Sequence, residues 1–220
     1  MKIINFFKSF GIILLYLLLG TIVGVYTKYL GLSNPLVNQI VLILGELLVL
    51  IVIAYILKDK LSGQIENFKK NYKEYLPKAL KYWATGFAFM IVLNVLILFL
   101  IPSGIAPNEE ANRELMKIYP LYSIISAGLI APISEELIFR LNFKNVIKSR
   151  IPFVLVTGLL FGAAHIMVSS SLFELIYILP YSALGIAFSL GFYDTDNIMT
   201  SISMHAFHNI ASLIIIFSML

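Results

Sequence analysis

The chain has 220 residues, 60% of them hydrophobic and only 13% charged, with a mean hydropathy of +0.92. Soluble domains carry about a quarter charged residues, so a water-soluble globule is excluded and the bilayer is the solvent to reason with. The absence of Cys removes disulfides, thiolate metal sites and cysteine nucleophiles. The formal charge of +4 is small, and the placement of the positive residues matters more than their sum. Abundant Ile, Lys and Asn suggest an AT-rich, bacterial genome.

In chain order, seven apolar segments are expected to cross about 30 Å of hydrocarbon at about 1.5 Å per residue. They lie near 10–31, 36–57, 80–101, 119–140, 152–169, 172–192 and 198–219. The first follows Lys2 and Lys8 but lacks a small-x-small cleavage site, so it reads as a retained anchor and not a signal peptide. Threaded from an inside N terminus, 13 of the 16 Lys and Arg fall on one side, against Lys28, Arg113 and Lys117 on the other. The positive-inside rule then puts the N terminus and the basic loop 58–80 in the cytoplasm of a multi-pass cell-membrane protein. Within that loop Ile65, Phe68, Tyr72 and Tyr75 recur at helical spacing around Lys69, Lys70 and Lys73. Two readings fit: a short interfacial helix on the anionic leaflet, or an extension of the third span cut at Pro77. Tyr82 and Trp83 sit where an aromatic belt is expected. The fold class is all-α, a polytopic transmembrane helical bundle of seven to eight helices. Residues 1–117 hold the N-terminal spans and residues 118–220 the functional core.

Ionisable groups inside spans cost at least ~2.5–3.5 kcal/mol each, so each asks for a reason. They are Glu46, Glu135, Glu136, Arg140, His165, His205 and His208, with Asn94 and Asn209 as uncharged companions. In the fourth span adjacent Glu135 and Glu136 point about 100° apart on a helix, so the two carboxylates cannot share one task. Glu136 and Arg140 are i and i+4 and suit an ion pair. No Lys or Arg stands three or four residues from Glu135. A carboxyl in low dielectric without a local counter-ion has its pKa raised, as a general base near neutral pH requires. Pro132 removes a backbone hydrogen bond one turn earlier, opening room for water.

The fifth span offers Phe161-Gly-Ala-Ala-His165, whose small residues permit close helix approach. The seventh offers His205-Ala-Phe-His208-Asn209, with His205 and Asn209 on one face. Helical rise puts Glu135 about 8 Å below Arg140, His205 about 12 Å from Asn197 and His165 about 20 Å from Pro152. Those depths are compatible with a meeting in the cytoplasmic half of the membrane. The sequence contains no His-Glu-x-x-His, no Gly-x-Ser-x-Gly, no Gly-x-Gly-Asp to accompany Tyr193-Asp194, and no phosphate loop. Nothing in it is suited to nucleic acid.

Glu135-Glu136-x-x-x-Arg140, Phe161-x-x-x-His165 and His205-x-x-x-Asn209, in that order, resemble the three-motif signature of CPBP intramembrane proteases, also called the Abi or type II CAAX prenyl protease family. The resemblance covers about residues 119–216. It implies an intramembrane endopeptidase acting on a membrane-associated or lipid-modified peptide or protein, with Glu135, His165, His205 and Asn209 catalytic and Glu136, Arg140 and Phe161 supporting. In the metal-free version, slightly preferred because Arg140 occupies Glu136, Glu135 activates water beside His165 while His205 and Asn209 stabilise the oxyanion. In the metal version, Glu135, His165 and His205 ligate Zn²⁺ and Glu136 is the base. Two other classes remain open. One is a non-catalytic membrane interaction protein, such as a bacteriocin-immunity factor or scaffold. The other is a small transporter carrying protons on Glu135 and on Glu46, which has no assigned partner. The absence of an internal repeat weighs against the transporter.

Overall fold

The computed structural model describes residues 2–31, 33–100, 105–167, 169 and 171–219. The expected end of the third span at Ile101, and Val168 in the fifth, lie outside them. Among the described residues the regular structure is helical throughout, without a strand, as the all-α polytopic class requires. The helices are α1 (Lys2–Leu30), α2 (Pro35–Ile56), α3 (Lys58–Leu61), α4 (Gln64–Leu100), α5 (Pro107–Ile118), α6 (Pro120–Ile125), α7 (Ala131–Glu136), α8 (Arg150–His165), α9 (Ile178–Thr195) and α10 (Ile198–Phe217). Five stretches of the described residues are long and apolar enough to cross a membrane: Ile4–Leu30, Pro35–Ile56, Lys58–Leu100, Phe173–Thr195 and Ile198–Phe217.

The other two expected spans take different forms. Residues 120–141 form a helical run in four pieces, with π turns at Ser126–Ile130 and Leu137–Leu141 on either side of α7. Helix α8 has 16 residues, about 24 Å at the helical rise, which is short of a full hydrocarbon crossing. Between 58 and 80 the chain forms neither a separate interfacial helix nor an extension cut at Pro77. Helix α4 runs through Pro77 for 37 residues, about 55 Å. Both Pro77 and Lys73 are exposed, so solvent can take the carbonyl that the proline ring leaves unbonded. Helix α5, amphipathic and unforeseen in the sequence, begins with Glu109 and Glu110 and ends with Lys117, matching acid to its N terminus and base to its C terminus.

The chain divides into two compact units, each discontinuous in sequence. The first comprises Met1–Ser62, Arg113–Val146 and Ala206–Leu220; the second comprises Gly63–Asn112 and Ile147–His205. In the first unit, α1 packs on α2 and α2 on the 120–141 run. Asn34 caps α2, its Oδ1 accepting from Leu36 N and Val37 N at 2.9 and 3.3 Å. Gln39 does the same for α6, its Oε1 accepting from Leu121 N and Tyr122 N at 2.9 and 3.2 Å. At the far end of that run buried Asn142 donates to Ser9 O at 2.9 Å, and its own carbonyl accepts from Lys60 Nζ at 2.7 Å. Leu14, Leu18, Ile22 and Val25 of α1, and Leu44, Leu48, Ile51 and Tyr55 of α2, form exposed apolar stripes at helical spacing. Such stripes suit a surface wetted by lipid tails.

In the second unit, α9 packs against both α8 and α4. The α8–α9 crossing depends on glycine. A Cβ at Gly158 would lie 2.6 Å from Ile186 Cγ1 and 2.9 Å from Ile186 N, and one at Gly185 would lie 2.7 Å from Gly158 O. The backbones therefore approach as only small residues allow. Thr157 and Ser189 hydroxyls, 2.8 Å apart, tie the same two helices. At one edge of the unit Arg150 forks onto Asp194 at 2.8 and 2.7 Å, and Tyr82 donates to the same carboxylate. Tyr193 donates to Lys148 O at 2.7 Å, so the Tyr193-Asp194 pair serves packing here.

Candidate functional site

The sequence-predicted residues divide between the units. Glu135, Glu136, Arg140 and Asn209 belong to the first; Phe161, His165 and His205 belong to the second.

In the first unit, Glu135 and Glu136 sit on α7, a helix of only six residues between two π turns. Widened i→i+5 turns are rare and gather at functional sites. Here they close through Ala131 N to Ser126 O and through Asn142 N to Leu137 O at 2.9 Å. Glu136 and Arg140 are both wholly buried and paired at 3.0 Å, the i, i+4 ion pair expected from their spacing. Taking two charges this completely out of water is costly, and their pairing offsets part of that cost. Glu135, one residue earlier, is half-buried on a different face. Asn209 Nδ2 donates to Ala127 O at 2.8 Å, a carbonyl within the first π turn. That bond uses one amide hydrogen and leaves the second N–H and Oδ1 as further polar groups.

Glu46 has a partner that the sequence did not reveal. Its Oε1 accepts from the Tyr122 hydroxyl at 2.5 Å, a bond between α2 and α6. Local spacing cannot show a pairing across 76 residues. Gln39 was missed for the same reason. His208 and Asn94 are half-buried on α10 and α4.

In the second unit the residues converge on an aromatic stack. His165 lies at the C-terminal end of α8, with Nδ1 2.8 Å from Phe161 O. A carbonyl there accepts the Nδ1 proton, fixing the ring and leaving Nε2 as the nitrogen with a lone pair. Phe161 lies against His165 with ring centroids 4.3 Å apart, and Tyr181 of α9 covers the imidazole at 4.7 Å. On the other side Phe161 meets the His205 ring edge-on at 5.4 Å, and Phe188 stacks on His205 at 4.7 Å and 21°. The order Tyr181, His165, Phe161, His205, Phe188 thus places both imidazoles on one aromatic wall. His205 is only 3% exposed. Tyr181 and Phe188 were not singled out from sequence, because neither shares a helix with a histidine. The one available signal was Gly158-x-x-x-Gly162, which marks the face of α8 that α9 must cover.

The family resemblance raises Zn²⁺ as a cofactor. Among the described residues no three His, Asp or Glu side chains are grouped as metal ligands. Of the expected set, Glu135 belongs to the first unit and His165 and His205 to the second.

Residues 117–211 match the Rce1-like family, type II CAAX prenyl endopeptidase. The matched stretch contains Glu135, Phe161, His165, His205 and Asn209. A protein of Mycoplasma capricolum subsp. capricolum described as uncharacterized is 28% identical over 227 residues, which take in 98% of this chain and 66% of that protein. The chain thus spans just under two thirds of that relative's length. No solved structure matches the chain.

Proposed function

With its C-terminal half matched to the type II CAAX prenyl endopeptidases, we propose that the protein is an intramembrane endopeptidase that hydrolyses a peptide bond of a membrane-associated or lipid-modified substrate, with Glu135 activating the water. The observation that carries this reading is the match across 117–211, which takes in all three polar motifs in order. We place the catalytic core at 118–220, with the N terminus cytoplasmic and the site in the cytoplasmic half of the membrane.

In this mechanism Glu135 takes a proton from water held between it and His165. Three features support the assignment. Glu136 is committed to Arg140 at 3.0 Å, which leaves the base role to Glu135. His165 has its Nδ1 held at Phe161 O, which fixes the tautomer and leaves the lone pair on Nε2. Asn209 is steadied through Ala127 O and keeps an amide N–H to donate. With His205 it stabilises the oxyanion, a role in which a fixed donor outweighs one that must reorganise. The proton taken by Glu135 then passes to the leaving amine, which departs neutral.

The test compares wild type with Glu135→Ala, His165→Ala, His205→Ala and Asn209→Ala in detergent, on quenched hydrophobic and prenylated peptides. Each is assayed with and without chelator, and folding is checked by thermal melting. The first three variants should stay folded and lose cleavage. Asn209→Ala should lose about 10²–10³ in kcat, the weight of one oxyanion donor. Chelator should leave the rate unchanged; a chelator-sensitive rate restored by Zn²⁺ would move Glu135 from base to ligand. A folded wild type that cleaves none of these peptides, and whose variants keep the cellular phenotype, would point to the membrane interaction protein instead.

A further inference from the structure

We propose that the first unit holds a second intramembrane site, a pocket built to bind a protonated amine on Glu46. A cavity of about 390 Å³ lies between α1, α2 and the start of α7, with Tyr16, Thr21, Glu46 and Ser134 as its polar lining and Leu17 and Val49 among its apolar walls. Among the described residues no Lys, Arg or His lines it. Glu46 Oε1 is taken by the Tyr122 hydroxyl, whereas Oε2 is buried and accepts no hydrogen bond from the described residues. A buried acceptor left unbonded is costly enough that native structures rarely keep one without a reason. The Tyr122 bond fixes the carboxylate, so Oε2 presents one defined acceptor direction.

The group that completes such an acceptor is an N–H or O–H donor, and the field selects among donors. Among the described residues Glu46 is the one carboxylate in the lining, and no lining cation faces it. In apolar surroundings a carboxylate gains far more from an ammonium than from a neutral hydroxyl. The volume, roughly a dozen times the share of one liquid water, accommodates an amine with a short alkyl chain or the side chain of a lysine. Apolar walls with a few fixed polar groups are the usual make-up of a small-ligand site. This site does not depend on peptide hydrolysis, and its test contains no cleavage step.

Melting of the detergent-solubilised full chain is followed against n-butylammonium chloride, n-butanol and sodium chloride. Butylammonium should raise the melting temperature saturably, as mass action on the folded state requires, while butanol and sodium chloride leave it unchanged. In Glu46→Gln the half-saturating concentration should rise roughly 10- to 100-fold, the weight of a hydrogen bond to a charged group. If that variant fails to fold, the wild-type contrast of amine with alcohol decides. Equal shifts with butanol, or no shift with butylammonium, overturn the proposal and leave the cavity as space for water or apolar groups. A hydrophobic peptide bearing Lys, compared with the same peptide bearing norleucine, identifies the source. Stabilisation by the Lys peptide as well as by butylammonium, and not by the norleucine peptide, assigns the pocket to a substrate side chain; stabilisation by butylammonium but not by the Lys peptide assigns it to a free amine.

Discussion

Substituting Gly158 by Ala adds one methyl group at a close point of the α8–α9 crossing, and its effect can be worked from the structure. The new Cβ would lie 2.6 Å from Ile186 Cγ1, 2.9 Å from Ile186 N and 3.1 Å from Ile186 Cα. The side-chain atom can rotate away, but the two backbone atoms cannot. Ordinary van der Waals contact begins at 3.4 Å, so the helices must part by about 0.5 Å. Overpacking of this kind costs about 1–3 kcal/mol. Activity should suffer more than stability, because α8 carries His165 two turns on, and misplacement of a reacting group by about 1 Å costs about 10²-fold. Gly20→Ala is the control: nothing lies within 4 Å of its added Cβ, and Ala in mid-helix is favoured over Gly by about 0.5–1 kcal/mol. Melting in detergent and peptide cleavage are measured on both variants. A Gly158→Ala protein with wild-type melting and rate would refute the claim that this contact positions His165.

Removing one member of the buried ion pair should be far worse than removing both. Arg140→Met strands Glu136 and should cost about 3–5 kcal/mol by denaturation, whereas Glu136→Leu with Arg140→Met should recover most of that loss. Tyr122→Phe takes the donor from Glu46 Oε1 and should lower stability by about 1–3 kcal/mol, with most of the loss absent when Glu46 is already Leu. Phe188→Leu removes the ring stacked on His205 at a cost of about 0.5–1.5 kcal/mol beyond area, and should lower kcat more than it raises KM. Asp194→Asn, at an edge where the Arg150 side chain is 47% exposed, should change stability by less than about 1 kcal/mol.

Apolar run length and the few polar residues within the runs were legible from the sequence, and with them the all-α polytopic class. Helical spacing likewise foretold the Glu136–Arg140 pair, because i and i+4 meet on any helix whatever surrounds it. The same local logic failed where a proline or a π turn depends on its surroundings. Pro77 does not end α4, since the carbonyl it frees, at exposed Lys73, is open to solvent. The fourth run is broken by π turns on either side of α7, whose placement depends on distant groups such as Asn209 at Ala127 O. Glu46 with Tyr122, Gln39 capping α6, and the stack of Tyr181, His165, Phe161, His205 and Phe188 join helices far apart in sequence. Their pairing depends on how closely backbones cross, as at Gly158 and Gly185. Periodicity determines which face of a helix is apolar or polar; which partner meets that face, and at what distance, was decided only by the tertiary packing.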